Sequence, residues 1–487
     1  MTVTEKIIAA HSRYDTVKPG DIVDITIDAR AARDFGGANV VKNLNDFGLS
    51  VDDPEKTLFT FDCNPTGSDQ KYAVNQHICR QYARANGIKV YDIDAGIGTH
   101  LLMEEGYVWP GATAVSTDSH ANILGAVGAF GQGMGDMDIA AAWNTGKVWF
   151  KVPATVKLTL NGRLSEGVTA KDVILNLLRI YGENTLLGYS IELYGNAVDQ
   201  MTLDERITIA SMATEMGAII ILFPPSPAII SYCRARARTQ FEPVYADKDA
   251  KYEIEADIDA SSFVPMVARP GEPHDTVGVK EIPVTRIDSA FIGSCTNGRI
   301  EDMRVTAEIL RGKKIAPGVV LKIVPSTDGV WKQCLDEGLI DVFKEAGAMV
   351  SNAGCAGCAA GQVGQNGKGE IMHPEMRTLD IVVLVVYFLA MASMGPYLAR
   401  RNKNTENYFV GGRSYPGWLI GLSMFATSIS SITFVAYPAD AYKTAYLRFL
   451  LCLTLPLGIF IASKVFLPFY RRAQVTSAFE YLEVRFG

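Results

Sequence analysis

Cys295, in GSCTNGR (Gly293 to Arg299), is followed some sixty residues later by Cys355 and Cys358, in NAGCAGCAAG (Asn352 to Gly361). One cysteine and a later C-x-x-C offer three thiolates. An iron–sulfur cluster needs four ligands, so one iron would keep no protein ligand. An open metal position of that kind can do Lewis-acid chemistry. Eight cysteines spread over 487 residues, without the density or regular spacing of a secreted disulfide scaffold, suit a reducing compartment where thiolates are available to metal. Cys79, Cys233, Cys334 and Cys452 lack a motif context and read as packing residues.

The elements around these cysteines read as alternating strands and helices. Short β-rich runs, DIVDITID (Asp21 to Asp28), ATVKLTLNG (Ala154 to Gly162) and VVLKIVP (Val319 to Pro325), alternate with helical patterns such as EDMRVTAEILRG (Glu301 to Gly312). That alternation predicts an α/β fold with parallel strands, whose functional groups sit on loops at the carboxyl ends. SAFIG (Ser289 to Gly293) would be the strand that delivers Cys295 to such a loop, and AMVSNAGC (Ala348 to Cys355) would do the same for the C-x-x-C. The length allows two to four domains. Charged, glycine-rich and apolar residues are mixed up to Glu370, whereas from Leu379 onward long stretches carry almost no charge. The net charge of -7 gives no indication of nucleic-acid binding. The start, MTVTEKIIAAHSRYD, is too short and too charged for a signal peptide, so residues 1–371 are expected to be cytoplasmic.

GSCTNGRIEDMRVTAEIL, GCAGCAAGQVG, TDSHANILGAVGAFGQGMGDMDIA and TGKVWFKVP together resemble the aconitase and isopropylmalate dehydratase large-subunit family, over nearly all of residues 1–371. The resemblance implies aconitase-like three-layer α/β/α iron–sulfur domains and a 4Fe-4S hydro-lyase that dehydrates a small 2-hydroxy di- or tricarboxylic acid and rehydrates the alkene. Cys295, Cys355 and Cys358 would then be the cluster ligands. Removing such a hydroxyl needs an electrophile on its oxygen, an acid to protonate it and a base at the neighbouring carbon. The family supplies acid and base through carboxylate–imidazole pairs, in which the carboxylate fixes the histidine tautomer. Asp62, Asp118, His120 and Glu215 match its site positions.

Three positions depart from the family pattern. In FDCNP, Cys63 stands where histidine is usual, and a thiol with a reference pKa of about 8.5 is not an equivalent acid. In AGIGTHLL, Thr99 takes the histidine position and His100 the next. Ser211 replaces the asparagine that opens the family's N-M-x-x-E motif. These departures leave the reaction class in place and the substrate open. After Cys358 the family continues into an N-R-N-F-x-G-R segment whose arginines bind substrate carboxylates through bidentate contacts. This chain reads QVGQNGKGEI and then leaves the pattern. The swivelling domain is also missing, so turnover is expected to need a small subunit that carries it.

From residue 372 the chain changes character. Leu379 to Leu398, Trp418 to Tyr437 and Tyr446 to Tyr470 are apolar runs, each near the roughly 20 residues needed to span a bilayer. They predict an all-α membrane segment of three spans, with membrane attachment through residues 379–470. NYFVGGRSYPGWLIGLSMFATSISSITFVAYPADAY and YRRAQVTSAFEYLEVRFG resemble the first spans of the sodium:solute symporter family. That resemblance implies Ser428, Ser430 and Ser431 as contributors to sodium or substrate sites, or as small residues that let helices pack. Arg400, Arg401, Lys403 and Arg413 between spans one and two, with Arg471, Arg472 and Arg485 after span three, place those loops in the cytoplasm. Residues 1–371 would then lie outside, against their cytoplasmic character. The chain therefore reads as an enzyme segment joined near residue 371 to a symporter segment, by gene fusion or by an assembly artefact, with Met372 as the symporter's own initiator.

Overall fold

The computed structural model describes residues 1–64 and 69–355, together with the isolated positions 389, 393, 464 and 468. Chain contacts separate Met1–Pro374 from Glu375–Gly487. Cys358, the serines of the second span and, apart from those four positions, the three expected spans fall outside the described residues. Among the described residues no helix is long and apolar enough to cross a membrane.

Seven strands occupy the N-terminal part: β1 (Ile22–Thr26), β2 (Ala29–Arg33), β3 (Thr57–Thr60), β4 (Lys89–Tyr91), β5 (Thr113–Ser116), β6 (Phe130–Gly133) and β7 (Lys147–Lys151). Five of them form a wholly parallel sheet in the order β4-β3-β2-β5-β6. A parallel strand covered on both faces has no solvent side to alternate toward, and β2, β3 and β5 are buried at every position. β1 and β7 instead pair antiparallel at the edge, and β1 alternates between exposed and buried. The helices here are α1 (Val3–Ala10), α2 (Gly37–Asp46), α3 (Gln70–Asn86), α4 (Gly98–Glu104) and α5 (Asp136–Thr145). Asp69 caps α3 by accepting from Lys71 N, and Gly87 closes it at φ 69°. Trp143 from α5 packs edge-on against Phe59 of β3 at 4.9 Å between ring centres, both fully buried.

A second parallel sheet follows, from β8 (Thr155–Asn161), β9 (Ser190–Tyr194), β10 (Ile220–Leu222) and β11 (Ile254–Asp259), in the order β10-β9-β8-β11. α6 (Ala170–Tyr181), α7 (Asn196–Asp199), α8 (Leu203–Ser211) and α9 (Pro227–Arg234) accompany it. Asp172 begins α6 by accepting from Thr169 N at 2.8 Å, while its other oxygen accepts from Met266 N at 2.7 Å. Met266 lies in a short antiparallel pair, β12 (Met266–Ala268) with β13 (Thr276–Gly278).

The third sheet is β14 (Ser289–Ile292), β15 (Val320–Ile323) and β16 (Met349–Val350), parallel and in that order, with α10 (Ile300–Leu310), α11 (Asp328–Asp336) and α12 (Leu339–Ala346). The first and third sheets meet at Gly96. Its φ of 107° and a hypothetical Cβ only 2.5 Å from Ser326 O exclude any larger residue, and Ile97 N donates to Ser326 O at 2.8 Å. Arg299, at the start of α10, reaches Glu104 of α4 and, at 2.9 Å, Asp204 of α8, so one buried guanidinium ties elements of all three layers together. The alternating strands and helices expected from the sequence are present at each quoted run, and the α/β class follows from the parallel sheets.

Candidate active site

The order β3-β2-β5 explains the first cluster of side chains. Adjacent parallel strands end side by side, and their ends carry Asp62 just beyond β3, Arg33 closing β2, and Asp118 just beyond β5. Arg33 Nε donates to Asp62 Oδ1 at 2.7 Å and Nη1 pairs with Asp118 Oδ1 at 3.1 Å. Asp62 Oδ2 accepts from Gly98 N at the start of α4, 2.8 Å away. All three side chains are buried. Burial pushes the Asp62 carboxyl up to about 6 even though Arg33 favours its ionised form. Arg33 stays charged well above its ordinary range, because Asp118 and Asp62 outweigh the burial that would lower it.

Burial and the neighbouring carboxylates hold the Cys63 thiol far above the usual range, and its sulfur sits 3.5 Å from Asp62 Oδ1. Asp34 organises the backbone here, accepting from Cys63 N at 3.1 Å, Asn64 N at 3.3 Å and Gln76 Nε2 at 2.9 Å. Asp34, Asp62 and Cys63 place candidate ligand atoms within 4.8 Å of one another. A cation does not fit them: both oxygens of Asp34 are engaged by N–H donors, and a guanidinium already lies on Asp62.

His120 forms the second pair. Its backbone N donates to Asp118 Oδ1 at 3.0 Å, and its Nε2 lies 3.2 Å from Glu215 Oε1. Burial would lower this imidazole, but the Cys295 sulfur and Glu215 push it up to about 11. His120 opens a fully buried 3-10 segment, Ala121–Val127, longer than such segments usually run. Glu215 lies in a turn beyond the end of α8, not on the helix. Asn122 Nδ2 donates to Thr214 Oγ1 at 2.9 Å and fastens that turn to the His120 loop.

The cysteines enter from the third sheet. Cys295 follows β14 and Cys355 follows β16, the two strands flanking β15, so both leave the same end of one parallel sheet and both are buried. Ser294, just before Cys295, has φ 81°, and it is the one non-glycine residue in that region among the described residues. Backbone strain of this kind concentrates at functional loops. His100 Nε2 donates to Cys295 O at 2.9 Å, and burial lowers its pKa to about 3, so the neutral ring braces the loop from α4. Thr208 Oγ1 on α8 donates to Thr296 O at 2.8 Å and braces the loop from the other side. Ser211 instead turns back onto its own helix, donating to Thr208 O at 3.1 Å. Cys355 N donates to Asp62 O at 2.8 Å, which brings the two clusters into one site.

Two thiols on one sheet end, with the His120 imidazole beside one and the Arg33 guanidinium acting on the other, suit thiolate ligation of an iron–sulfur cluster. Four of the twelve buried side-chain polar atoms left without a hydrogen-bond partner among the described residues belong to these side chains: Arg33 Nη2, Asp118 Oδ2, Glu215 Oε2 and His100 Nδ1. Buried atoms of this kind mark a site that a bound group completes. A cleft of about 500 Å³ opens beside them, lined by His120, Lys171, Glu215, Ser294, Cys295 and Thr296 among others. A neighbouring one of about 640 Å³ shares Lys171, Ser294 and Thr296 but is otherwise acidic, with Asp204, Glu205, Glu301 and Asp302.

Asp62, Asp118, His120, Glu215, Cys295 and Cys355 are thus brought together, and Cys358 lies outside the described residues. Sequence reasoning missed Arg33 and Lys171. The one signal for Arg33 was an arginine ending the short strand ARAAR directly before Asp34, at the sheet end where the site had to be.

Residues 5–378 match the aconitase family (aconitate hydratase), and residues 408–487 match the sodium:solute symporter family. Among similar proteins, the 3-isopropylmalate dehydratase large subunit of Sulfurihydrogenibium sp. (strain YO3AOP1) is 37% identical over 374 residues, covering 76% of this chain and 87% of that protein. The 3-isopropylmalate dehydratase large subunit of Halothermothrix orenii is 40% identical over 373 residues, covering 76% and 89%. The crystal structure of Thermococcus kodakaraensis aconitase X superposes with a TM-score of 0.42 at 16% identity, over 68% of this chain and 79% of that one.

Proposed function

The chain belongs to the aconitase family, and from that premise we propose that residues 1–371 are a 4Fe-4S-dependent hydro-lyase of the 3-isopropylmalate dehydratase type, working with a small subunit on a 2-hydroxy dicarboxylic acid. The observation that carries this reading is the convergence of Cys295 and Cys355 with the His120–Glu215 pair and the Asp62–Arg33–Asp118 bridge. Cys295, Cys355 and Cys358 would hold the cluster, which when bound supplies an electrophilic iron to the departing hydroxyl.

The chain's own residues supply the rest. His120, oriented through Nε2 by Glu215, is the group placed to deliver a proton to a leaving oxygen. Arg33 donates to Asp62 and forms an ion pair with Asp118, so one guanidinium holds both carboxylates at the site. The carboxylate–imidazole pair that Cys63 removes is replaced by this guanidinium bridge. The enzyme part would be cytoplasmic.

The test is turnover. Full-length chain, reconstituted with iron and sulfide without oxygen, is given 3-isopropylmalate with and without the small subunit of a relative, and alkene absorbance is followed. Alkene that forms only with the small subunit supports the reading. A loaded enzyme that forms none from 3-isopropylmalate, malate derivatives or citrate refutes it.

For residues 372–487 the symporter match favours a second, separate reading: the N-terminal part of a transporter, with its three spans in a membrane, joined to the enzyme as a fusion or chimera. An uninterrupted reading frame across codons 365 to 380 in DNA and transcript of a clonal isolate would exclude the artefact.

A further inference from the structure

We propose that Lys171 is a substrate-carboxylate anchor in the cleft beside His120 and Cys295, a role that rests on the hydroxy-diacid reading above. Lys171 occupies the first turn of α6 and lines both clefts. Its side chain is partly buried, and among the described residues its one hydrogen-bond contact is the Met212 thioether, 3.6 Å from Nζ. An ammonium partly withdrawn from water with so weak a partner is stabilised by an anion that completes it. Glu215, Cys295 and Asp302 act on it through space, and neither carboxylate forms an ion pair with it among the described residues.

The two clefts differ in which ligand they would accept. The larger one sets Lys171 against Asp204, Glu205, Glu301 and Asp302, a surrounding that repels a dianion. The smaller one sets Lys171 against one carboxylate, Glu215, and the Cys295 sulfur, with the His120 ring and the Ser294 and Thr296 hydroxyls on its wall. An anionic substrate therefore belongs in the smaller cleft, with the carboxylate away from the reacting carbon on Lys171 and the reacting end near His120. The anchor supplies a cation on the chain itself where the family's arginine segment after the last cluster cysteine is not matched. A lysine makes a point-charge contact without bidentate geometry, so it would accept more than one carboxylate orientation.

The experiment is anaerobic calorimetry on the reconstituted full chain, using 3-isopropylmalate and its two monomethyl esters as probes, with wild type, Lys171→Met and Lys171→Arg. Wild type is expected to bind the diacid roughly ten- to a hundredfold more tightly than one of the esters, as suits one charge-assisted contact. Lys171→Met should bind the diacid as weakly as wild type binds that ester and should lose the discrimination, while Lys171→Arg retains it. Discrimination that persists in Lys171→Met, or a loss equal for all three probes, would overturn the anchor. Wild type that binds no diacid at all would overturn the hydroxy-acid reading as well.

Discussion

At the scale of residues, one guanidinium does work that a second imidazole would do elsewhere. Arg33 cannot titrate near neutral pH, so the proton that moves at this corner of the site belongs to Asp62. The folded-state pKa of Asp62, about 6, lies above its ordinary value of 3.8, so the native chain binds more protons than the unfolded chain between those limits. Its contribution to stability is therefore greatest below that window and falls as pH rises through it. In the cluster-free protein, denaturant titrations from pH 3.5 to 7 should show this declining limb, and Asp62→Asn should flatten it. A limb of equal slope in that variant would show that another group carries it. Arg33 itself was not legible in advance. Sequence reasoning sees a strand with an arginine at each end of a two-alanine run, and only the central place of β2, buried on both faces, forces Arg33 to find carboxylates inside.

At the scale of elements, the site depends on close approaches that only small residues permit. The 3-10 segment after His120 lies so near β10 that a Cβ on Gly125 would meet Ile221 O at 2.0 Å. Gly125→Ala should push this segment off the strand, destabilise the protein by about 2–4 kcal/mol and separate His120 from Glu215, so activity should fall more than the loss of folded protein explains. Thermal unfolding together with specific activity of the folded fraction checks both parts. The cysteine loops, the strand before each of them and the D-S-H step were readable because each combines a strand pattern with an unusual loop composition. Glu215 was readable as a site residue through family resemblance, but its pairing with His120 was not, since 95 residues separate them and a turn, not a helix face, presents the carboxylate. His100, one place beyond the histidine position of the family pattern, braces the cysteine loop through Cys295 O, a role that depends on how α4 packs and that no local pattern encodes.

At the scale of the whole molecule, the chain carries two matches of different kinds: an enzyme family over residues 5–378 and a membrane transporter family over residues 408–487. The composition shift after Glu370 made that division legible from the sequence alone, because charge density changes abruptly where a soluble fold would need it to persist. For the enzyme part we propose that Cys295, Cys355 and Cys358 hold a cluster with an open iron. Iron and sulfide analysis of full-length chain, reconstituted without oxygen and desalted, tests it most directly when wild type is set beside Cys295→Ser, Cys355→Ser and Cys358→Ser. The account predicts close to four irons per chain in wild type and loss of most of the iron and of the visible absorbance in each variant. Iron content unchanged by all three substitutions would contradict it.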